Sequence, residues 1–95
     1  LYNPYKGLRE FMPWVKQGMS AKAYDWDTGA GPFVTEDLRE GREMTLDFLR
    51  LMKIVVAAGY TGYVGIEYEG HAHTEMDGIA RTKRALEEVR AKLSA

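Results

Sequence analysis

Apolar residues recur at helical spacing from Tyr5 to about Lys16, where Leu8, Phe11, Met12 and Val15 share one side. Pro4 suits the first turn of such a helix, because a missing N–H costs nothing there. Pro13 falls inside the stretch and predicts a kink or an early end, and Gly18 supplies a stop. The short piece from Met19 to Asp25 lies between turn signals and reads as a strand. From Trp26 to Met44 the chain turns polar and carries Gly29, Gly31, Pro32 and Gly41, which predicts a long loop with a helical turn around Thr35 to Arg39. Thr45 is placed to cap a second helix, with Asp47 near its positive end. Phe48, Leu49, Leu51, Met52, Val55 and Val56 then form a wide apolar stripe that Gly59 ends as a C′ residue. Tyr63 to Tyr68 is the clearest strand, β-rich and bounded by Gly62 and Gly70. Thr74-Glu-Met-Asp77 has the form of a capping box with Asp in place of Glu or Gln, and Ile79, Leu86, Val89 and Leu93 give the last helix a narrow apolar face.

The resulting order is helix, strand, loop, helix, strand, loop, helix. Strands that alternate with covering helices imply parallel βαβ units and an α/β fold. Two strands cannot make a sheet covered on both faces, so the apolar faces require a larger parent or self-association. No internal repeat or low-complexity tract offers another way to bury them.

Composition narrows the function classes. The 95 residues suit one small domain, and the apolar (45%) and charged (28%) fractions are those of an ordinary globular chain rather than a disordered one. Thirteen basic against fourteen acidic residues leave a net charge of −1, so no excess positive charge is available to neutralise nucleic-acid phosphates. Absence of cysteine excludes disulfides and thiolate metal sites and fits a reducing compartment. The longest clear apolar run, Ile54 to Ala58, is far below the ~20 residues of a membrane helix, so no membrane partner is expected. Leu-Tyr-Asn-Pro at the start carries neither Met nor a signal-peptide pattern; a trimmed or incomplete chain in the cytoplasm is the expectation.

Three stretches together resemble a known family. They are Tyr5-Lys-Gly-Leu-Arg-Glu-Phe-Met-Pro13, Ser20-Ala-Lys-Ala-Tyr-Asp25, and Leu51-Met-Lys-Ile-Val55 followed by Ala58-Gly-Tyr-Thr-Gly-Tyr-Val-Gly-Ile-Glu-Tyr-Glu-Gly70. They look like sugar phosphate isomerase/epimerase proteins of the xylose-isomerase-like TIM-barrel superfamily, over most of the chain except the stretch from Trp26 to Met44. The resemblance implies that residues 1–95 form a partial barrel domain: helix 6, strand 7, helix 7, strand 8 and helix 8 of a (β/α)8 barrel. A complete barrel takes about 250 residues and eight strands.

Glu67 is the foremost candidate for chemistry. It stands near the C-terminal end of the last strand, on the barrel face that carries active sites. Strand alternation puts Glu67 and Glu69 on one face, where unpaired carboxylates call for a metal or a basic partner. Such barrels, the resemblance implies, use a strand-8 Glu as metal ligand and proton-transfer base, with Mn²⁺ or Mg²⁺ suited to a hard carboxylate oxygen. The plain alternative is an ion pair between Glu67 and Lys22. Glu69 can support a neighbour, touch a substrate hydroxyl or simply be solvated. Lys22 and Tyr24 occupy the strand-7 face where the superfamily places a metal-binding His, so the metal site is altered or lost if no other ligand replaces it. Lys22 suits a substrate phosphate or carboxylate, Tyr24 a sugar hydroxyl, and Asp25 is the remaining oxygen ligand nearby. His71 and His73 form a His-x-His on the following loop, a pattern more often solvated than ligating. Gly29-Ala-Gly31 is a weak phosphate cradle, and Trp26, Phe33, Arg39 and Arg42 form either a lid over the sugar or a solvent-facing loop.

The leading expectation is therefore a fragment of a sugar or sugar phosphate isomerase/epimerase, transferring a proton beside a carbonyl with metal assistance. The alternative is a non-catalytic or degenerate carbohydrate-binding barrel. A metal-dependent abasic-site nuclease of the same superfamily fits less well, since its site needs many His and carboxylate ligands. The isolated chain is expected to be inactive and to self-associate.

Overall fold

Asn3 opens the first helix by accepting hydrogen bonds from the backbone N–H groups of Tyr5 (3.0 Å) and Lys6 (3.1 Å), and Pro4 follows at its first position. In the computed structural model, which describes residues 3–16, 18–39 and 43–94, helix α1 runs over Pro4–Phe11. Pro13 ends it: Met12–Trp14 tighten into a 3₁₀ turn. Gly18, expected as a helix stop, is instead the first residue of strand β1 (Gly18–Ala23).

The stretch expected as a loop folds as an antiparallel hairpin, β2 (Val34–Asp37) against β3 (Met44–Asp47), with Val34 opposite Asp47 and Asp37 opposite Met44. No helical turn forms at Thr35. The inward positions of β2, Thr35 (0% exposed) and Asp37 (5%), are polar, so the apolar alternation that marks a strand is missing there. Hydrogen bonding makes their burial tolerable: Thr35 Oγ1 accepts from the Tyr24 N–H at 2.7 Å, and Asp37 accepts from the Arg39 side chain at 2.9 and 3.0 Å. The hairpin is tied to the sheet by two backbone bonds between Asp25 and Glu36. Gly41 and Arg42 lie outside the described residues.

Thr45 belongs to β3, where its hydroxyl donates to Glu36 Oε2, and the cap of α2 (Phe48–Ala57) is Asp47. Asp47 Oδ1 accepts from Leu49 N–H (3.0 Å) and Arg50 N–H (3.3 Å), satisfying two of the helix's orphan donors. Asp47→Ala should cost about 1 kcal/mol, the usual worth of such a cap, and urea unfolding followed by far-ultraviolet circular dichroism measures it. At the other end Gly59 takes φ 77°, with Gly59 N–H bonded to Val56 O and Tyr60 N–H to Val55 O, which is the Schellman arrangement expected of a C′ glycine.

β4 (Tyr63–Tyr68) follows and pairs in parallel with β1, from Gly18 opposite Tyr63 to Ala23 opposite Tyr68. The chain is thus mixed α/β with a two-stranded parallel sheet and a separate two-stranded hairpin. Thr74 caps the last helix, α3 (Glu75–Leu93), by accepting from Asp77 N–H, as the capping-box pattern predicts. Of the expected apolar face Val89 is buried and Leu86 and Leu93 pack against the core, but Ile79 stays 36% exposed and Gly78, Thr82 and Ala85 are buried beside Val89. Large rings from the sheet side take the available room. Tyr68 fills the space where a Gly78 side chain would sit, and Trp26 Nε1 donates to Thr82 Oγ1 at 2.9 Å. Trp26, Phe48, Ala23, Ala85 and Val89 make the centre of the core, with the Trp26 and Phe48 rings edge to face at 5.1 Å.

One face of the parallel pair is covered. Ala21, Ala23 and Ile66 turn toward the helices, whereas Ser20, Lys22, Gly65 and Glu67 are exposed on the opposite face. Two apolar grooves flank the pair. One, about 400 Å³, lies between α1, β1 and α2 and is lined by Leu8, Phe11, Met19 and Val55; the other, about 550 Å³, lies between α2, β4 and α3. None of the described helices is long and apolar enough to cross a membrane.

Candidate functional site

Parallel pairing sets Lys22 directly opposite Glu67 on the open face, one residue before both strands end. The ladder continues one step further through the Glu69 N–H, which donates to Ala23 O at 2.8 Å, and this brings Glu69 to the same end of the same face. Lys22 Nζ lies 3.1 Å from Glu69 Oε2, with each side chain about half exposed (49%). The ammonium therefore takes its diagonal neighbour, so the ion pair offered as the alternative reading of Glu67 forms with Glu69 instead. The hydrogen bond to Glu69, then the charge of Glu69 and the weaker influence of Tyr24 and Glu67, raise the Lys22 pKa above the usual lysine range. Lys22 stays a cation, able to donate but not to ligate a metal.

Tyr24 follows the last residue of β1, two positions beyond Lys22, but its side chain is only 8% exposed and belongs to the core cluster. Arg39, at the end of the hairpin strand, joins the same neighbourhood. Its guanidinium is raised chiefly by the Asp37 carboxylate, with smaller contributions from the charges of Glu69 and Tyr24. The hairpin thus delivers a cation that alternation along the parallel strands cannot reveal. Arg42, proposed from sequence as its companion, lies outside the described residues.

Asp25 is held through one of its two carboxylate oxygens. Its Oδ1 accepts from Tyr68 Oη (2.8 Å), His71 N–H (2.8 Å) and Ala72 N–H (2.9 Å). Burial by itself would raise the Asp25 pKa, but the hydrogen bonds from Ala72, Tyr68 and His71 outweigh it and hold the carboxyl below the ordinary aspartate range. Burial and the bond to Asp25 push the Tyr68 hydroxyl up to about 12. His71 and His73 both stand exposed on this loop, with the His73 N–H bonded to Tyr68 Oη.

Trp26 and Phe33 are not lid residues: Trp26 is 2% exposed, and Phe33 packs on the core. Gly29 and Gly31 take positive φ (96° and 133°), which accounts for both as turn glycines. Asp27, also at positive φ (60°), receives a two-pronged hydrogen bond from Arg81 at 3.0 and 3.1 Å, an ion pair that nothing in the local pattern signals.

Among the described residues no three His, Asp or Glu side chains gather in a way that could hold a metal ion. Glu67 offers one carboxylate, Glu69 is committed to Lys22, and Asp25 Oδ1 to its three donors. An octahedral Mn²⁺ or Mg²⁺ ion completes its shell with water but still needs carboxylates that converge, and these residues alone bring no such group together. No family model matches this sequence, and no curated protein matches it.

Proposed function

We propose that this chain forms the final helix, strand, helix, strand and helix of a (β/α)8 barrel of the sugar isomerase/epimerase type, acting on a sugar or sugar phosphate. The observation that carries it is the gathering of Lys22, Glu67 and Glu69 at the C-terminal end of a parallel strand pair, on the face the helices leave open. A parallel pair flanked by two apolar grooves is also what remains of a sheet designed to continue on both sides.

On this reading Glu67 is the base that removes a proton beside a carbonyl. Lys22, oriented by Glu69, donates to the oxygen on which negative charge develops. Glu67 supplies at most one ligand toward Mn²⁺ or Mg²⁺, the rest having to come from other strands, so no step of this reading runs through a metal. The strand-7 position of the family's metal-binding His is filled here by Lys22 and Tyr24, and this favours, as the alternative, a barrel that binds carbohydrate without catalysis.

The test is carbon-bound proton exchange. Aldoses and ketoses incubated in deuterium oxide with a barrel that completes these strands should gain deuterium beside the carbonyl, while the 95-residue chain alone should give no turnover and should self-associate in light scattering. Turnover by a monodisperse isolated chain would overturn the barrel-fragment assignment. A completed barrel that binds sugar but exchanges no proton would replace the isomerase by the binding protein.

A further inference from the structure

The Asp25 carboxylate is a densely bonded polar group outside the open face, and its partners are not its neighbours in sequence. A single oxygen, Oδ1, collects the Tyr68 hydroxyl and the successive N–H groups of His71 and Ala72, 43 to 47 residues away. Two consecutive backbone donors converging on one anionic oxygen form the kind of concavity that elsewhere binds free anions; here the anion is supplied by the chain itself. The backbone of Asp25 is fixed independently, by its two bonds to Glu36 on the hairpin.

The glycines around it are cut to fit. A Cβ on Gly70 would overlap both Asp25 Oδ1 and the Tyr68 phenol, and a Cβ on Gly78 would overlap the Tyr68 ring. Tyr68 is thereby clamped, its ring on Gly78 of α3 and its hydroxyl between Asp25, to which it donates, and the His73 N–H, from which it accepts at 3.2 Å. The segment from Gly70 to His73 has no other backbone-to-backbone hydrogen bond among the described residues before Thr74 caps α3. Its attachment to the molecule is concentrated in one carboxylate and one phenol.

We infer that residues 70–74 form a strap latched by Asp25, which closes the C-terminal ends of β1 and β4 and opens as a unit when the carboxylate lets go. The latch lies on the helix-side face and involves none of Lys22, Glu67 or Glu69, so it holds whether or not the isomerase assignment does. It also explains why the loop after β4 carries a glycine at 70, a position without positive φ.

Amide hydrogen exchange by NMR on the full 95-residue chain tests the latch with three variants. Asp25→Ala removes the acceptor, and Gly70→Ala drives a methyl into the closed latch. Asp25→Asn keeps an acceptor oxygen but loses the charge that strengthens it. Exchange at His71 and Ala72 should speed up by about tenfold or more in Asp25→Ala and Gly70→Ala and by less in Asp25→Asn, with the amides of α2 changing by less than about threefold. Unchanged exchange at His71 and Ala72 in the first two variants would overturn the latch. Equal acceleration across α2 and β4 would overturn the strap as a separate unit. Should Asp25→Ala unfold the chain, Asp25→Asn decides: acceleration confined to the strap supports the latch, and uniform or absent acceleration refutes it.

Discussion

Glu67→Gln, made in a complete barrel that contains this segment, should lower kcat by about two to four orders of magnitude, the usual size of a general-base contribution. Glutamine keeps the volume and one acceptor oxygen of Glu67 but cannot take a proton from carbon. The structure makes this substitution a clean one. Lys22 is held by Glu69 at 3.1 Å rather than by Glu67, so the change leaves the ion pair in place. Glu69→Gln removes the partner that orients Lys22 and should act more weakly, since an exposed lysine finds water readily. A metal titration on the same variant shows whether Glu67 also ligates, because affinity then falls together with kcat. Equal activity of both variants and the parent, measured as kcat for proton exchange, would reduce Glu67 to a solvated carboxylate and leave only sugar binding to explain.

Trp26→Ala should destabilise the chain by about 3–5 kcal/mol in urea unfolding, a large part of the about 5–15 kcal/mol available to an ordinary domain. The indole is 2% exposed, meets Phe48 edge to face, donates to Thr82 Oγ1 and lies beneath the Arg81 guanidinium at 5.1 Å. Truncation opens a cavity and strips three kinds of contact at once. Trp26→Phe keeps most of the packing and loses the N–H; Thr82 still donates to Gly78 O, so the cost should fall to roughly 1–2 kcal/mol. A loss below about 1 kcal/mol for the alanine variant would return Trp26 to the surface lid that its loop-like sequence context suggests.

That contrast marks where the sequence is legible. The helices and the parallel strands announce themselves through spacing, through Pro4 and Pro13, and through Gly59, whose positive φ the Schellman end requires. The hairpin does not, because the buried positions of β2 are the polar Thr35 and Asp37, β3 adds only Leu46, and both strands are only four residues long. Alternation places Lys22, Glu67 and Glu69 on one face, yet it cannot say that Lys22 will choose the diagonal carboxylate; side-chain reach decides that. The apolar face of α3 holds at Leu86, Val89 and Leu93, but toward the start of the helix Ile79 gives way to Gly78 and Thr82, since Tyr68 and Trp26 fill the space from across the core. Asp25 looks like a spare ligand in sequence. Only the return of β4 beside β1 brings two amides and a phenol to it.

Partners across β1 and β4 are 45 residues apart in sequence, whereas those across the hairpin are 7 to 13 apart, and α2 closes on its own cap and Schellman turn. Closing the long loop costs chain entropy before any ladder bond compensates for it, so the local pieces are positioned to form first and the parallel ladder last. Lys22 gains its carboxylate and Asp25 its amides only through that ladder, so the charged mouth and the strap depend on one and the same long-range closure.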